Sequence, residues 1–460
     1  MAGESSPLTL GDVVTLQRGT TYKSALLGQP GPVLLGLGSI QRNGGFRDDS
    51  LKTYGGESPA KLTLHPGDIY VSLKDVTQSA DLLGAIARVP PHVPAGRVTQ
   101  DTVKLTFIRK DVPSGYLYWL MRTPFYREYC RAHAIGTTNL SIAREDFLAF
   151  PVPKPKAREL TLVETLDALD DKIELNRRMN ATLEAMARAL FQSWFVDFDP
   201  VHAKLDGRPP AALDPATAAL FPASFQDSPL GHIPKGWEIG TLGSILDVLE
   251  TGRRPKGGVG SYTSGVPSVG AESINGIGVF DYSKTKYIPF EFFEKTSSGR
   301  VAHFDVLLYK DGGKPGEFRP RVGLFGHDFP FKTFCINEHV FRMRSVRTGQ
   351  SFLFFTTSHQ RVLDDFANKG GKAAIPGINQ PDVKSTPIVL PPKGITDAFN
   401  ARADLLCDQI LHNAIQSRTL ATLRDTLLPK LLSGELSLPA ALLAAQAGVA
   451  GLESQPEAVT

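Results

Sequence analysis

The stretch Ala157–Pro200 reads ARELTLVETLDALDDKIELNRRMNATLEAMARALFQSWFVDFDP, and it predicts one long helix. Apolar or small residues and two asparagines recur in alternating steps of four and three, at Leu162, Leu166, Leu169, Ile173, Asn176, Asn180, Leu183, Ala187, Leu190 and Trp194. This spacing is typical of a coiled-coil seam, whereas a helix on one globular core shows a broader apolar stripe. The stretch alone leaves both interpretations open.

The same pattern occurs a second time, at a constant offset of 237 residues. The second series is Phe399, Ala403, Leu406, Ile410, Asn413, Ser417, Leu420, Arg424, Leu427 and Leu431, and eight of these ten are apolar, small or the matching asparagine. One helix needs another to bury such a seam, so we predict that the two copies pair. Asn176 and Asn413 occupy equivalent places, and a polar residue in a seam costs stability but fixes register. We assign them this role; the alternative is that both face solvent.

Composition is that of an ordinary soluble protein with two to four domains. The 460 residues are 21% charged and 42% hydrophobic, and the net charge of +3 permits a nucleic-acid partner without requiring one. Cys130, Cys335 and Cys407 are far apart, which favours a reducing cytoplasm and argues against disulfides or a zinc site. The N-terminal residues lack the apolar segment of a signal peptide, and no apolar run is long enough for a transmembrane span.

Local patterns divide the chain into mixed domains that alternate with helices. We predict a mixed domain over 1–155, a helix over 156–200, a linker over 201–235, a second mixed domain over 236–393, a second helix over 394–437 and a partly disordered tail over 438–460. In the first domain the predicted elements are strands at Val33–Leu37, Asp68–Leu73, Leu82–Val89 and Thr102–Ile108 and a helix over Gly115–Ala132. The proline-rich linker is expected to be irregular. The aromatic cluster Phe191–Pro200 is interpreted as packing where the helix meets the second domain, with a ligand pocket as the alternative.

Short matches indicate that the second domain repeats the first. Thr9-Leu-Gly-Asp-Val matches Thr241-Leu-Gly-Ser-Ile, and Pro66-Gly-Asp-Ile-Tyr-Val matches His303-Phe-Asp-Val-Leu-Leu. A period this long indicates a duplication rather than a solenoid. The predicted fold class is α+β: duplicated mixed α/β domains separated by two long antiparallel coiled-coil helices, in a pseudo-two-fold arrangement.

Several segments together resemble the specificity subunits of type I restriction–modification systems. They are Leu10-Gly-Asp12 with Arg18-Gly-Thr20, the block Phe191–Pro200, Ile233-Pro-Lys-Gly-Trp-Glu238 and Leu423-Arg-Asp-Thr-Leu-Leu-Pro-Lys-Leu-Leu-Ser-Gly-Glu435. The resemblance implies that each mixed domain is a target recognition domain reading one half of a bipartite double-stranded DNA site. It also implies that the paired helices set the spacing and dock two methyltransferase subunits, and that motor-nuclease subunits join the full complex. Ser244 stands where the first repeat has Asp12.

The sequence lacks the common motifs for catalysis and metal binding. No Asn/Asp-Pro-Pro-aromatic motif, phosphate loop, H-E-x-x-H or G-x-S-x-G occurs. Pro381-Asp-Val-Lys384 leaves one minor alternative, an atypical nuclease site using Asp382 and Lys384, without an identifiable second acid. We therefore expect no catalytic residue, no metal and no cofactor. A scaffold that uses the coiled coil only for assembly is the other alternative.

Basic and polar loops are the candidates for DNA contact, because arginine and lysine serve phosphates and guanine edges while amides serve adenine. In the first domain they are Arg18, Thr20, Tyr22, Lys23, Arg42, Arg47, Lys74, Thr137, Thr138 and Asn139. In the second domain they are Arg253, Arg254, Lys256, Lys310, Lys314, Arg319, Arg321 and Lys372. A solvated surface charge is the alternative for any one of them. The matching places in both repeats favour DNA.

Overall fold

The structure is a computed structural model, and it describes residues 8–48, 51–326, 328–371 and 375–430. The chain divides into two compact units. The first comprises residues 1–171 with 420–460, and the second comprises residues 172–419. Each long helix therefore contributes to both units.

The first unit is a mixed domain of short strands and helices that leads into a long helix. Its elements are α1 Leu10–Val13, β1 Val14–Arg18, β2 Val33–Leu35, β3 Thr63–Leu64, β4 Ile69–Ser72, β5 Lys74–Asp75, β6 Ile86–Arg88, β7 Gly96–Val98, β8 Thr102–Phe107, α2 Ser114–Leu120, α3 Pro124–Ala132, β9 Leu140–Ser141, α4 Arg144–Leu148 and α5 Ala157–Phe195. The strands form an antiparallel sheet in the order β1-β8-β4-β6, a small sheet in the order β2-β7-β3 and a ribbon of β5 and β9.

The central sheet of the first unit buries a separate core on each face. In β4, Ile69 and Val71 pack with residues of α2, α3 and α5, whereas Tyr70 packs with the small sheet. This division follows from the pleat, which points successive side chains to opposite faces. The apolar run of β4 is thus explained by burial on both sides.

Two aspartates one turn apart on α5 join the helix to the rest of the first unit. Asp167 accepts a hydrogen bond from Arg88 at 2.7 Å. Asp170 accepts from Arg122 at 2.9 Å and from Arg424 at 2.7 Å. Burial opposes the ionisation of Asp170, but the two arginines outweigh it and hold the pKa of this carboxyl below its ordinary value.

The second unit repeats this plan with more strands. Its elements after α5 are α6 Asp199–Leu205, α7 Pro215–Ala219, β10 Phe225–Ser228, β11 Gly231–Pro234, β12 Glu238–Thr241, β13 Val248–Thr251, β14 Val266–Val269, β15 Gly276–Ile277, β16 Lys286–Ile288, α8 Phe290–Lys295, β17 Asp305–Tyr309, β18 Val322–Phe325, β19 Cys335–Ile336, β20 Val340–Arg344, α9 Gln350–Ser358, α10 Gln360–Gly370, α11 Gln380–Lys384, β21 Pro387–Leu390 and α12 Lys393–Leu427. Its main sheet has the order β13-β20-β17-β18-β15, and its first four strands correspond to β1-β8-β4-β6. Three smaller sheets, β16-β14-β19, β12-β21 and β10-β11, complete this unit.

The aromatic cluster at the end of α5 is buried in the core of the second unit. Phe191 and Phe195 are each 7% exposed and Trp194 is 2% exposed. The Phe195 ring lies 5.0 Å from Phe352 and 5.2 Å from Phe399, centroid to centroid. Packing therefore explains the burial of the cluster, as the sequence predicted, and Phe191, Phe195 and Phe198 also line a surface cavity of about 170 Å³.

The two long helices run antiparallel within the second unit. Asn176 donates to Gln416 at 2.8 Å, and Asn180 donates to the Ile410 carbonyl at 3.2 Å, so the partner number falls as α5 advances. Asn413 donates to Asn180 at 2.8 Å. Asn176 and Asn413 are 0% and 3% exposed, which excludes the solvent-facing alternative. Their role in fixing register remains a prediction.

The structure departs from the predicted elements in three places. The helix predicted over Gly115–Ala132 is two helices, because Pro124 lacks an amide hydrogen and disfavours helical backbone at Thr123, which instead caps α3. The linker over 201–235 is not irregular: it contains α6, α7 and the β10–β11 hairpin. The loop from Arg18 to Lys23, which the sequence led us to expect after a helix, follows the strand β1.

The predicted long helices correspond to α5 and α12. The last part of the second predicted helix, the seam position Leu431 and the predicted tail lie outside the described residues, and the predicted domain limits stay predictions. Within the described ranges, no helix is both long and apolar enough to cross a membrane.

Candidate nucleic-acid interface

A short ribbon of β5 and β9 follows the central strand β4 in the first unit. Its antiparallel register pairs Lys74 with Ser141 and Asp75 with Leu140. The hydroxyl of Ser72, the last residue of β4, donates to the Lys74 carbonyl at 2.5 Å, and this local bond fixes the exit of the chain from the sheet. Beyond the paired residues lie two loops with exposed residues, 76–79 and 136–139.

Three cations line a surface cavity of about 290 Å³ beside this ribbon: Arg18 at the end of β1, Lys74 on β5 and Arg144 at the start of α4. The turn between β7 and β8 closes the cavity. There the Gln100 carbonyl accepts from Arg18 at 3.2 Å, and Asp101 lies 3.3 Å from the Lys74 ammonium. The Lys74 side chain is still 47% exposed, so its charge is available to a phosphate.

The loop after β1 is held from inside by an arginine that the sequence did not single out. Arg97 is 3% exposed and donates to the Thr20 hydroxyl at 2.8 Å. The Tyr22 ring packs edge-on against the Tyr54 ring, with 6.2 Å between the ring centroids. The Lys23 amide donates to the Tyr54 hydroxyl at 3.3 Å. Thr20 therefore has a structural role, whereas the side chains of Tyr22 and Lys23 are exposed.

The remaining predicted contacts of the first unit fall into two groups. Arg42 and Arg47 are exposed residues of a separate loop, before and after its pair of glycines. Thr137, Thr138 and Asn139 are exposed at the end of the ribbon, where Gln78 donates to the Thr137 carbonyl at 3.3 Å. The ribbon therefore brings Lys74 and the predicted turn together, although 63 residues separate Lys74 from Thr137 in the sequence.

The second unit carries an equivalent ribbon after β17. Ile378 donates its amide hydrogen to the Lys310 carbonyl at 2.8 Å, and Gly312 donates to the Pro376 carbonyl at 2.9 Å. In the first unit Ile142 donates to the Leu73 carbonyl at 3.1 Å in the same way. The repeated hydrogen bonds show that the ribbon belongs to the shared frame of both repeats.

Most of the predicted cations of the second unit are exposed or flank its ribbon. The exposed ones are Arg253, Arg254, Lys256, Lys314 and Arg319. The Lys310 ammonium lies 3.1 Å from Asp311, and Arg319 forms an ion pair with Glu317. Lys372 lies outside the described residues.

Two arginines of the second unit are engaged by the protein itself. Arg321 donates to Asn275 at 3.2 Å and to the Ala271 carbonyl at 2.8 Å, and it lies over the Tyr309 ring at 4.9 Å, which gives it a structural role. Arg254 lies 2.8 Å from Glu338, but its side chain is 60% exposed. Arg254 can therefore exchange this partner for a phosphate.

Asp382, the candidate for an atypical nuclease site, caps the N-terminus of α11. Its carboxylate accepts the Asn379 amide hydrogen at 2.9 Å, and the Asn379 side chain accepts the Asp382 amide hydrogen at 2.9 Å. This capping box is repeated at Thr9 and Asp12. Capping therefore explains Asp382 without catalysis.

Sequence reasoning missed Arg144, Arg97 and the loop at residues 75–79. Arg144 lies in Ile142-Ala-Arg-Glu-Asp-Phe, a segment that matches Ile378-Asn-Gln-Pro-Asp-Val in the second repeat. Arg97 and the loop carry no motif, because their positions depend on pairing between distant strands. Only the repeat comparison offered a signal, and only for Arg144.

Comparison with known proteins agrees with the predicted resemblance. No family model matches the chain. It is 27% identical over 343 residues to the type I restriction enzyme MjaIX specificity subunit of Methanocaldococcus jannaschii, covering 72% of this chain and 71% of the relative. It is 25% identical over 344 residues to the HindI specificity subunit of Haemophilus influenzae, covering 63% of this chain and 69% of the relative.

A solved structure shares the fold. The S subunit of the type I restriction–modification system of M. genitalium aligns with a TM-score of 0.56 at 12% identity, covering 94% of this chain and 97% of that one. At this identity the likeness concerns the fold alone. Sequence and fold together make the chain a homologue of the specificity subunits of type I restriction–modification systems.

Proposed function

We propose that the chain is the sequence-specific DNA-binding subunit of a type I restriction–modification complex, and that each repeat reads one half of a bipartite target. The observation that carries the proposal is the repeated ribbon, which has exposed cations beside it in both units. Cations at such places neutralise phosphates and fix the register of a protein on the duplex, while neighbouring residues reach base edges.

The partners we propose are double-stranded DNA, two methyltransferase subunits docked on the paired helices, and motor-nuclease subunits in the full cytoplasmic complex. The subunit itself is proposed to recognise DNA without catalysis. The homology to specificity subunits and the capping role of Asp382 support this assignment.

Binding-site selection from a randomised duplex pool tests the proposal. Replacing Arg253, Arg254 and Lys256 with alanine should weaken binding and blur one half of the selected site. The matched variant in the first unit, with Arg18, Lys74 and Arg144 replaced by alanine, should blur the other half. Equal loss of selectivity in both halves from either variant would contradict separate reading.

A salt titration distinguishes DNA recognition from the two alternatives. Phosphate contacts make the affinity fall steeply with salt, and each lost contact reduces the slope of log K against log salt by about 0.9. A chain that binds no DNA at low salt would be a scaffold. Cleavage of DNA by the pure subunit with magnesium would support a nuclease, and Asp382→Asn would then have to abolish it.

A further inference from the structure

The first ribbon ends in a loop that is ordered by a buried carboxylate. Asp75 is 1% exposed, and its two oxygens accept hydrogen bonds from Thr77 and Leu82. The Thr77 amide and hydroxyl each donate at 2.8 Å, and the Leu82 amide donates at 2.7 Å. The loop after β5 is therefore preorganised around Asp75 and does not need a ligand to hold its shape.

This ordered loop presents an apolar side chain to solvent. Val76 is 62% exposed, although its neighbour Asp75 is buried and its other neighbour, Thr77, donates a hydrogen bond to the Asp75 carboxylate. Exposed apolar side chains are common on protein surfaces, but this one is held on a preorganised loop and is accessible to a ligand. Its place beside Lys74, whose ammonium is exposed at the cavity edge, puts it next to a phosphate-binding charge.

The opposite loop supplies an amide at the neighbouring position. Because Asp75 pairs with Leu140, the next positions outward in the same antiparallel register are Val76 and Asn139. A Cβ on Gly136 would lie 2.3 Å from the Asn139 carbonyl, so glycine is required for the tight turn that places Asn139 there. Within the described residues, the Asn139 side chain has no hydrogen-bond partner, and it is exposed.

A two-stranded ribbon fits the major groove of B-DNA, and the chemistry of these two tips matches what only that groove displays. The thymine methyl group makes apolar contacts there, and adenine offers a donor and an acceptor that an asparagine amide can engage together. Cross-strand neighbours lie about 5 Å apart and adjacent base pairs about 3.4 Å apart, so two flexible side chains at these positions can reach adjacent base pairs.

We propose that the tip of the first ribbon reads an A·T-containing step of one half-site in the major groove. Val76 contacts a thymine methyl, Asn139 engages an adenine edge, and Asp75 is the positioning residue that holds the Val76 loop. Lys74 and Arg18 bind the flanking phosphates. This inference rests on the proposed function and names the residues that specify the half-site of the first repeat.

The test combines protein variants with modified bases, using the full-length chain assembled with its methyltransferase subunits and a site selected from a random pool. Val76→Ala should lower affinity about fourfold, the value of a lost methyl contact. Replacing the contacted thymine with uracil should lower the affinity of the parent by a similar factor and have no further effect on Val76→Ala. Ile108→Ala is the matched control. Ile108 is 56% exposed and directly follows β8, at the opposite end of this strand from the residues that pair with Arg18 and Ser72.

Asn139 and Asp75 are tested by base preference. Asn139→Ala should lose adenine selectivity by about tenfold, and Asn139→Asp should shift the preference toward cytosine, whose amino group donates to a carboxylate. Asp75→Asn should relax the preference at both positions while the salt slope is unchanged, because no phosphate contact is lost. A general loss of stability would instead lower affinity for all sequences alike.

The outcomes separate this inference from the proposed function. If the parent selects a bipartite site and the Val76 and Asn139 variants select the same bases with the same preference, the ribbon tip does not read DNA, while the proposed function stands. If the parent selects no site, both are overturned. If the variants alter selectivity in the half-site that the first-unit cation variant blurs, the inference is supported.

Discussion

At the scale of single residues, Asp170 carries the charge whose loss should matter most in the first unit. Arg122 and Arg424 both donate to it, and the side chains of the three residues are 6–22% exposed. Asp170→Ala should lower the free energy of unfolding by about 3 kcal/mol, because Arg122 and Arg424 lose the carboxylate that they share and only Arg424 keeps another, Asp425. Denaturant unfolding measures this change. Asp171→Ala, at the exposed neighbouring position, should change stability by less than about 0.5 kcal/mol.

The lowered pKa of Asp170 also predicts a pH dependence. A carboxyl whose folded pKa lies below its unfolded value of about 3.8 stabilises the fold above that value and loses its contribution as the pH falls through the folded pKa. The difference in stability between the parent and Asp170→Ala should therefore be constant from pH 5 to 7 and shrink below about pH 4. A difference that grew in acid would contradict the ion pairs.

The equivalent aspartates of the two helices have different surroundings. Asp167 is paired with Arg88, but Asp404, at an offset of 237, accepts from the Ser351 hydroxyl, and burial raises its pKa. A raised pKa means that ionised Asp404 costs stability above its folded pKa. Asp404→Asn should therefore be neutral or stabilising at pH 7, by less than about 1 kcal/mol, and the difference should vanish at pH 3, where both side chains are neutral. A stability loss at pH 7 would show that the charge is needed.

At the scale of elements, the asparagines of the helix pair can be tested directly. The Asn176 carbonyl oxygen is buried without a partner in the described residues, so the seam carries an unsatisfied polar atom. Replacing Asn176 and Asn413 with leucine should raise the unfolding midpoint and loosen the choice of helix partner. Thermal unfolding and light scattering measure the two effects. Thr182→Leu, on the exposed face of α5, should change neither, and a double variant that is less stable and strictly monomeric would refute the register role.

The long helices could be predicted from the sequence because eight of the ten seam positions recur as apolar, small or asparagine residues at a constant offset. The break at Thr123 and Pro124 could have been predicted from proline chemistry, but the apolar side of Tyr116, Trp119 and Tyr126 continues across it and favoured one helix. The ribbons could not be predicted. The strands of the first ribbon are two residues long and the second ribbon has one bridge, Asp311 with Gly377, so neither shows a period, and the partners lie more than 60 residues apart.

At the scale of the whole molecule, the duplication was visible in the sequence, whereas the residues proposed to contact DNA were visible only as a surplus of basic and polar loops. The structure separates them: Thr20 and Arg321 support the fold, while Lys74 and Asn139 meet at a ribbon. Sequence patterns could not make this distinction, because an arginine that packs on a tyrosine and an exposed arginine can have similar neighbours in the sequence.

If the helix pair sets the spacing of the two domains, the gap between the two half-sites should change with the length of the helices. The units divide between Asp171 and Lys172 on α5 and between Thr419 and Leu420 on α12, so one heptad inserted at each place preserves the contacts of both units. Each helix lengthens by about 10 Å, which equals about three base pairs. The rotation is small, about 20° per heptad. Site selection should show a longer gap between unchanged half-sites.

The control for this experiment is a heptad inserted in α5 alone, which cannot keep both the Asn176–Asn413 contact and the Asp170–Arg424 ion pair and should impair folding. If the doubly extended variant folds, binds and still selects the parental gap, the helices do not set the spacing.

The three cysteines make the chain ready for fluorescence studies without removal of any native thiol. All three are buried, and burial raises the pKa of Cys130, of Cys335 to about 11 and of Cys407 to about 12. Since thiolate is the species that maleimides attack, these side chains should remain unlabelled in the native state. A cysteine introduced at position 76 would then be the reactive one, and a dye attached there would report the arrival of DNA at the ribbon in real time.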